Sequence, residues 1–222
     1  MGENIKLTAS DGHSFDAYKA VPAGTPKGGI VVIQEIFGVN SHMREVADSY
    51  AADGYLAIAP AVFDRQESNV ELGYTADDVT AGRTLKDSAS YDAAVLDLTA
   101  AVEAASEGGK VGTVGYCWGG TLSYLCSTRI GGVSGSVVYY GGQIVPFNDE
   151  ALKTPCLMHF GERDAGIPLS DVDAIKTAHP EADVHVYPAD HGFNCDHRGS
   201  YDEASCKLAR ERTDAFFTSN LA

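Results

Sequence analysis

One cysteine, one histidine and two carboxylates stand where their side chains could pass protons and attack a carbonyl. Cys117 lies in VGTVGYCWGG, where Gly115-x-Cys117-x-Gly119 has the spacing of a G-x-S-x-G turn with sulfur in place of oxygen. An apolar run precedes that turn and a helix-compatible one, TLSYLCST, follows it. The turn needs small flanking residues because its central residue sits on a sharp bend crowded by neighbouring chains. The sulfur is thereby carried to a helix N-terminus, whose dipole and free N–H groups favour a thiolate. An acid and a histidine follow in the order such a nucleophile requires: Asp164 in GERDAGIP, after the apolar run CLMHF, and His191 in ADHGFN, after VHVYP. Each has a rival. Glu162 could supply the acid, while His159 and His185 fall inside predicted strands and His179 precedes Pro180 at a helix end, all poor places for proton transfer at a sheet edge. The second carboxylate, Glu35, interrupts the apolar run VVIQEIFGV. Burying an unpaired charge costs several kcal/mol, so Glu35 is expected to be neutralised, paired with an arginine under the turn, or working in the chemistry.

Such residues need a frame, and the apolar periodicity supplies it. IKLT and SFDAYKA, separated by Ser10-Asp11-Gly12, predict an opening hairpin. The continuous apolar runs GIVVIQ, YLAIAP, KVGTVGY, SGSVVYYG, TPCLMHFG and ADVHVYP predict strands covered on both faces. Helix-like segments alternate with them: SHMREVADSYAADG, the long stretch from Thr75 to Ala105, the residues after Cys117, SDVDAIKTAHP, and SYDEASCKLARERTDAFFTSN. This alternation predicts an α/β fold, a mostly parallel central sheet with helices on both faces. Ligands bind such sheets outside the carboxyl ends of the strands, which is where Cys117, Asp164 and His191 fall.

Composition narrows the partners. The chain has 222 residues, 44% of them hydrophobic, and no repeat or linker, so one domain over 1–222 is expected. A formal net charge of −15 leaves no electrostatic footprint for nucleic acid or an anionic membrane. The N-terminus MGENIKLTAS reads as neither a secretory signal nor a myristoylation site, since Lys6 stands where Ser or Thr is needed, and a cytoplasmic protein is expected. Five cysteines without CxxC pairing read as reduced thiols. Cys195, His197 and Cys206 do not have the spacing of a familiar zinc pattern, so neither metal nor cofactor is expected.

SDGHSFDAY, QEIFGVN with MRE shortly after, GYLAIAP, KVGTVGYCWGG, VVYYGG and ERTDAFF resemble the dienelactone hydrolase family, cysteine-dependent members of the α/β-hydrolase superfamily. The likeness runs over nearly the whole chain. It implies hydrolysis of an ester or enol-lactone, with 4-carboxymethylenebut-2-en-4-olide as the family's name substrate in chlorocatechol breakdown, and it favours a monomer. It also implies roles: Cys117 as nucleophile, His191 as base and acid, Asp164 orienting the imidazole, and the backbone N–H groups of Ile36 and Trp118 as oxyanion hole. By the same likeness Glu35 matches a glutamate that contacts the resting thiol and exchanges it for a cation when substrate arrives. The family's carboxylate-binding arginine, four residues after the catalytic histidine, is replaced by Cys195. Arg83 and Arg198 are candidate replacements, and Phe37, Leu72, Tyr74 and Trp118 are candidates to line the pocket. That departure leaves two alternatives open, a broad carboxylesterase and a non-catalytic thiol redox or binding protein.

Overall fold

The computed structural model describes residues 2–222. Its eight strands form one sheet in the order β1-β2-β4-β3-β5-β6-β7-β8. The predicted hairpin is present as β1 (Glu3–Thr8) and β2 (Ser14–Ala20), antiparallel to each other, and β2 runs antiparallel to β4 (Leu56–Pro60). The remaining strands, β3 (Gly29–Ile33), β5 (Val111–Tyr116), β6 (Val133–Tyr139), β7 (Cys156–Gly161) and β8 (Asp183–Tyr187), extend the sheet in parallel from β4. Every residue of β3, β4, β5 and β7 is buried, as continuous apolar runs require of strands covered on both faces. This is the α/β-hydrolase fold.

Six helices flank the sheet: α1 (Ser41–Ala52), α2 (Ala76–Ser88), α3 (Tyr91–Ala105), α4 (Trp118–Arg129), α5 (Leu169–Ala178) and α6 (Glu203–Leu221). The Thr75 to Ala105 stretch is thus two helices. Ala89 and Ser90 both turn extended, and the Ser90 side chain accepts from the Ala93 N–H, starting α3 afresh. Among the described residues no helix is long and apolar enough to cross a membrane.

Strand order fixes where chemistry can occur. From β3 the chain passes first to β4 on one side and later to β5 on the other, which opens a crevice above the carboxyl ends of β3 and β5. Glu35 and Ile36 leave β3 at that crevice, and Cys117 leaves β5 there. Asp164 follows β7 and His191 follows β8 at the same end of the sheet.

Candidate active site

Cys117 occupies the bend between β5 and α4 with φ 57° and ψ −119°, a left-handed conformation that a side chain rarely adopts. Hydrogen bonds brace it: its N–H donates to the Tyr139 carbonyl at 3.0 Å, and its own carbonyl accepts from the Gly120 N–H at 2.9 Å. The flanking glycine is a packing requirement. A Cβ on Gly119 would run into the carbonyl oxygens of Ile33 and Gln34, so only glycine lets the first turn of α4 sit against the exit of β3. That close approach brings the Trp118 end of α4 to the segment carrying Ile36, and both residues line one cavity with Cys117.

His191 and Asp164 meet across the ends of β8 and β7. Nδ1 of the ring lies 2.6 Å from Asp164 Oδ2, and the other carboxylate oxygen accepts from the Gly166 N–H at 2.8 Å. Asp164 is buried, whereas its rival Glu162 is exposed. The rival histidines are occupied elsewhere: His159 by the hydroxyls of Tyr187 and Thr213, His179 by Tyr124, and His185 by Asp183. Burial opposes charging of His191, but the Cys117 charge, hydrogen bonds to Asp164 and Cys117, and the Asp164 charge outweigh it and raise its pKa to about 10. The folded ring therefore holds its proton more tightly than the unfolded one, whose ordinary value is 6.5. This stabilisation is fully present below about pH 6.5 and is lost as pH rises through about 10. The difference in Tm between the wild type and His191→Gln should accordingly be largest below neutrality and should close through the alkaline range in a series of melts.

A cavity of about 420 Å³ opens over Cys117 and His191 and is lined by Ile36, Phe37, Trp118, Arg83 and Arg198 among others. Trp118 stacks on Phe63 with ring centroids 5.0 Å apart, which fixes the apolar wall. Tyr74 does not line the cavity. Its ring packs edge-on against Phe37 at 4.7 Å and lies under the Arg198 guanidinium at 5.9 Å, so it supports two lining residues from behind. Leu72 is also outside the cavity, its N–H donating to the Phe37 carbonyl at 2.9 Å.

Comparisons with known proteins place the chain in a family. Residues 15–221 match the Dienelactone hydrolase family. The chain belongs to that family. A carboxymethylenebutenolidase of Pseudomonas putida is 35% identical over 224 residues, covering 96% of this chain and 94% of that one. Among solved structures, a chain named for dienelactone hydrolase from Klebsiella pneumoniae superposes with a TM-score of 0.85 at 30% identity, over 97% of this chain and 99% of that one. An esterase of Pyrococcus furiosus, 14% identical with a TM-score of 0.74 over 100% of this chain and 92% of its own, shares the fold.

Within this dienelactone hydrolase family member, Glu35 meets a cation. It is 1% exposed, and its Oε1 accepts from Arg198 Nη1 at 3.0 Å, while Oε2 has no hydrogen-bond partner. The expected contact with the resting thiol is thus replaced by the arginine pairing. Physically, Cys195 is fully buried and has no positive charge to offer, whereas the turn in which the Arg198 N–H donates to the Cys195 carbonyl carries the guanidinium back to Glu35 and the cavity. Lining residues that sequence reasoning missed include Val79 and Lys86, which share α2 with Arg83. Their spacing of four and three residues places all three on one helix face, a signal readable in the sequence.

Proposed function

We propose that this hydrolase acts on a small carboxylic ester or enol-lactone that itself carries a carboxylate, through a thioester on Cys117. The observation that carries the reading is the hydrogen-bonded Asp164–His191 pair lining one cavity with Cys117, Arg83 and Arg198. The Pseudomonas putida relative is a carboxymethylenebutenolidase, which supports the same substrate class.

In this mechanism the Cys117 proton passes to His191, and Asp164 orients the ring and stabilises the imidazolium that forms. The thiolate attacks the ester carbonyl, and the N–H groups of Ile36 and Trp118 receive the developing oxyanion. One such donor is typically worth ~3 kcal/mol, which makes the packing of Gly119 against the β3 exit as important as the nucleophile. His191 gives its proton to the leaving oxygen, then takes one from the water that hydrolyses the thioester. Arg198 receives the substrate carboxylate on the side opposite the bond broken, with Arg83 as a second cation, and Glu35 positions Arg198.

Mixing the folded protein with a slowly hydrolysed ester and measuring its intact mass should show one acyl group, mapped by peptide digestion to Cys117. An adduct on any of the other four thiols, or none under conditions of turnover, would refute the thioester.

A further inference from the structure

Beside the Glu35–Arg198 pair lie three ligating atoms that no step of hydrolysis uses. A carboxylate oxygen of Glu35, a ring nitrogen of His42 and the sulfur of Cys195 all lie within 4.8 Å of one another. All three residues are buried, at 1%, 3% and 0% exposure. Two of the polar atoms are orphans: Glu35 Oε2 and His42 Nδ1 have no hydrogen-bond partner. Buried polar atoms are nearly always satisfied, so two side chains that each keep an unpartnered atom beside a buried thiol point to something that belongs among them.

We propose that Glu35, His42 and Cys195 form a buried binding site for a thiophilic divalent cation, with Zn²⁺ the natural occupant. Carboxylate, imidazole and thiolate are the ligand types that borderline-soft Zn²⁺ takes, and three protein ligands leave a fourth position for water. Nε2 of His42 stands 3.7 Å from Asp196 Oδ1 on the outer edge of the imidazole, while Nδ1 has no partner. A buried water would satisfy the oxygen and the nitrogen, but it gains little from sulfur, a weak donor and acceptor.

A recess of about 200 Å³ is lined by His42, Glu45, Asp196 and Cys206, and its exposed carboxylates would concentrate cations at the mouth. Binding converts Cys195–SH and M²⁺ into a Cys195 thiolate–metal bond and one proton released to solvent. Affinity should therefore strengthen about tenfold per pH unit through the neutral range. Arg198 keeps Glu35 Oε1 while Oε2 turns to the metal, so the two cations share one carboxylate.

The test is a Cd²⁺ titration of the Cys117→Ser protein, which lacks the thiol in the catalytic cavity. The near-ultraviolet thiolate-to-cadmium absorption should saturate at one equivalent, with one proton released and a rise in Tm. The band should vanish when Cys195→Ser is added and survive when Cys206→Ser is added instead. His42→Ala in the same background should weaken binding at least tenfold, and it decides the matter if Cys195→Ser disturbs folding. No band in Cys117→Ser, a band that persists without Cys195, or an affinity indifferent to His42 would each overturn the site. Because these readouts are optical and thermal, they stand or fall separately from the thioester.

Discussion

Replacing Cys117 by glycine is expected to abolish ester hydrolysis and to raise the melting temperature at the same time. The activity loss follows from the proposed chemistry, since removing a covalent nucleophile usually lowers kcat by about 10⁴-fold or more. The gain in stability follows from the backbone. Cys117 holds φ 57° and ψ −119°, and a side chain kept in such a region stores roughly 1–3 kcal/mol of strain that glycine does not feel. Against this stand the greater unfolded-state entropy of glycine, about 0.5–1 kcal/mol, and the packing of one half-buried sulfur. The net expectation is about 1 kcal/mol of stabilisation, or a rise in Tm of roughly 2–4 °C for a domain of this size. Cys117→Ala is the control, because alanine keeps the Cβ and hence the strain: it should lose activity equally without the same rise. A glycine variant no more stable than the alanine variant would mean that the bend is not strained. Such a result would remove the trade of stability for a projecting nucleophile, though not the nucleophile itself.

How much of this site was legible in the sequence depends on how local each feature is. The strands that position it are continuous apolar runs, and the bend at Cys117 is a strand, two glycines and a helix start within ten residues, so chain chemistry alone specifies it. Asp164 and His191 were readable because each follows directly on a strand whose end lies at the same edge of the sheet. The Glu35–Arg198 pair was not resolved in advance, because its two halves lie 163 residues apart and a single turn between Cys195 and Arg198 decides which residue delivers the cation. Tyr74 was misplaced for a related reason. Its aromatic ring suits a pocket wall, but whether it forms the wall or backs it depends on Phe37, which stands between. The break between α2 and α3 is hidden in the sequence because alanine at position 89 favours continuing the helix, and only the capping bond of Ser90 settles the conformation. His42 gave no sign at all, since a polar residue in the first turn of a helix is ordinarily at the surface.

Removing Arg198 should produce the largest loss of stability of any single change at the cavity. Its guanidinium is the one hydrogen-bond partner of a carboxylate that is 1% exposed, and half-buried itself it packs over the rings of Phe37 and Tyr74 at 5.6 and 5.9 Å. Arg198→Met keeps most of the apolar stem but leaves Glu35 with an uncompensated charge, a change that typically costs about 3–5 kcal/mol. At roughly 2–4 °C per kcal/mol, Tm should fall by roughly 6–20 °C. Glu35→Gln added to Arg198→Met should restore most of that loss, because the double variant has no buried charge left to satisfy, and the coupling energy of the cycle isolates the pair from the packing of either side chain. Catalysis divides differently. Both variants lose the cation, so KM for a carboxylate-bearing lactone should rise about 10- to 150-fold in each, the equivalent of one charge-assisted hydrogen bond of about 1.5–3 kcal/mol, while an uncharged ester of similar size is hydrolysed as before. Recovery of stability without recovery of carboxylate preference is the signature that separates the two tasks of Arg198, counter-ion to Glu35 and receptor for substrate. If the double variant melts no higher than Arg198→Met, the buried charge is not what the arginine answers. If both substrates suffer alike, the arginine does not recognise a carboxylate, and the broad carboxylesterase becomes the better description of this family member.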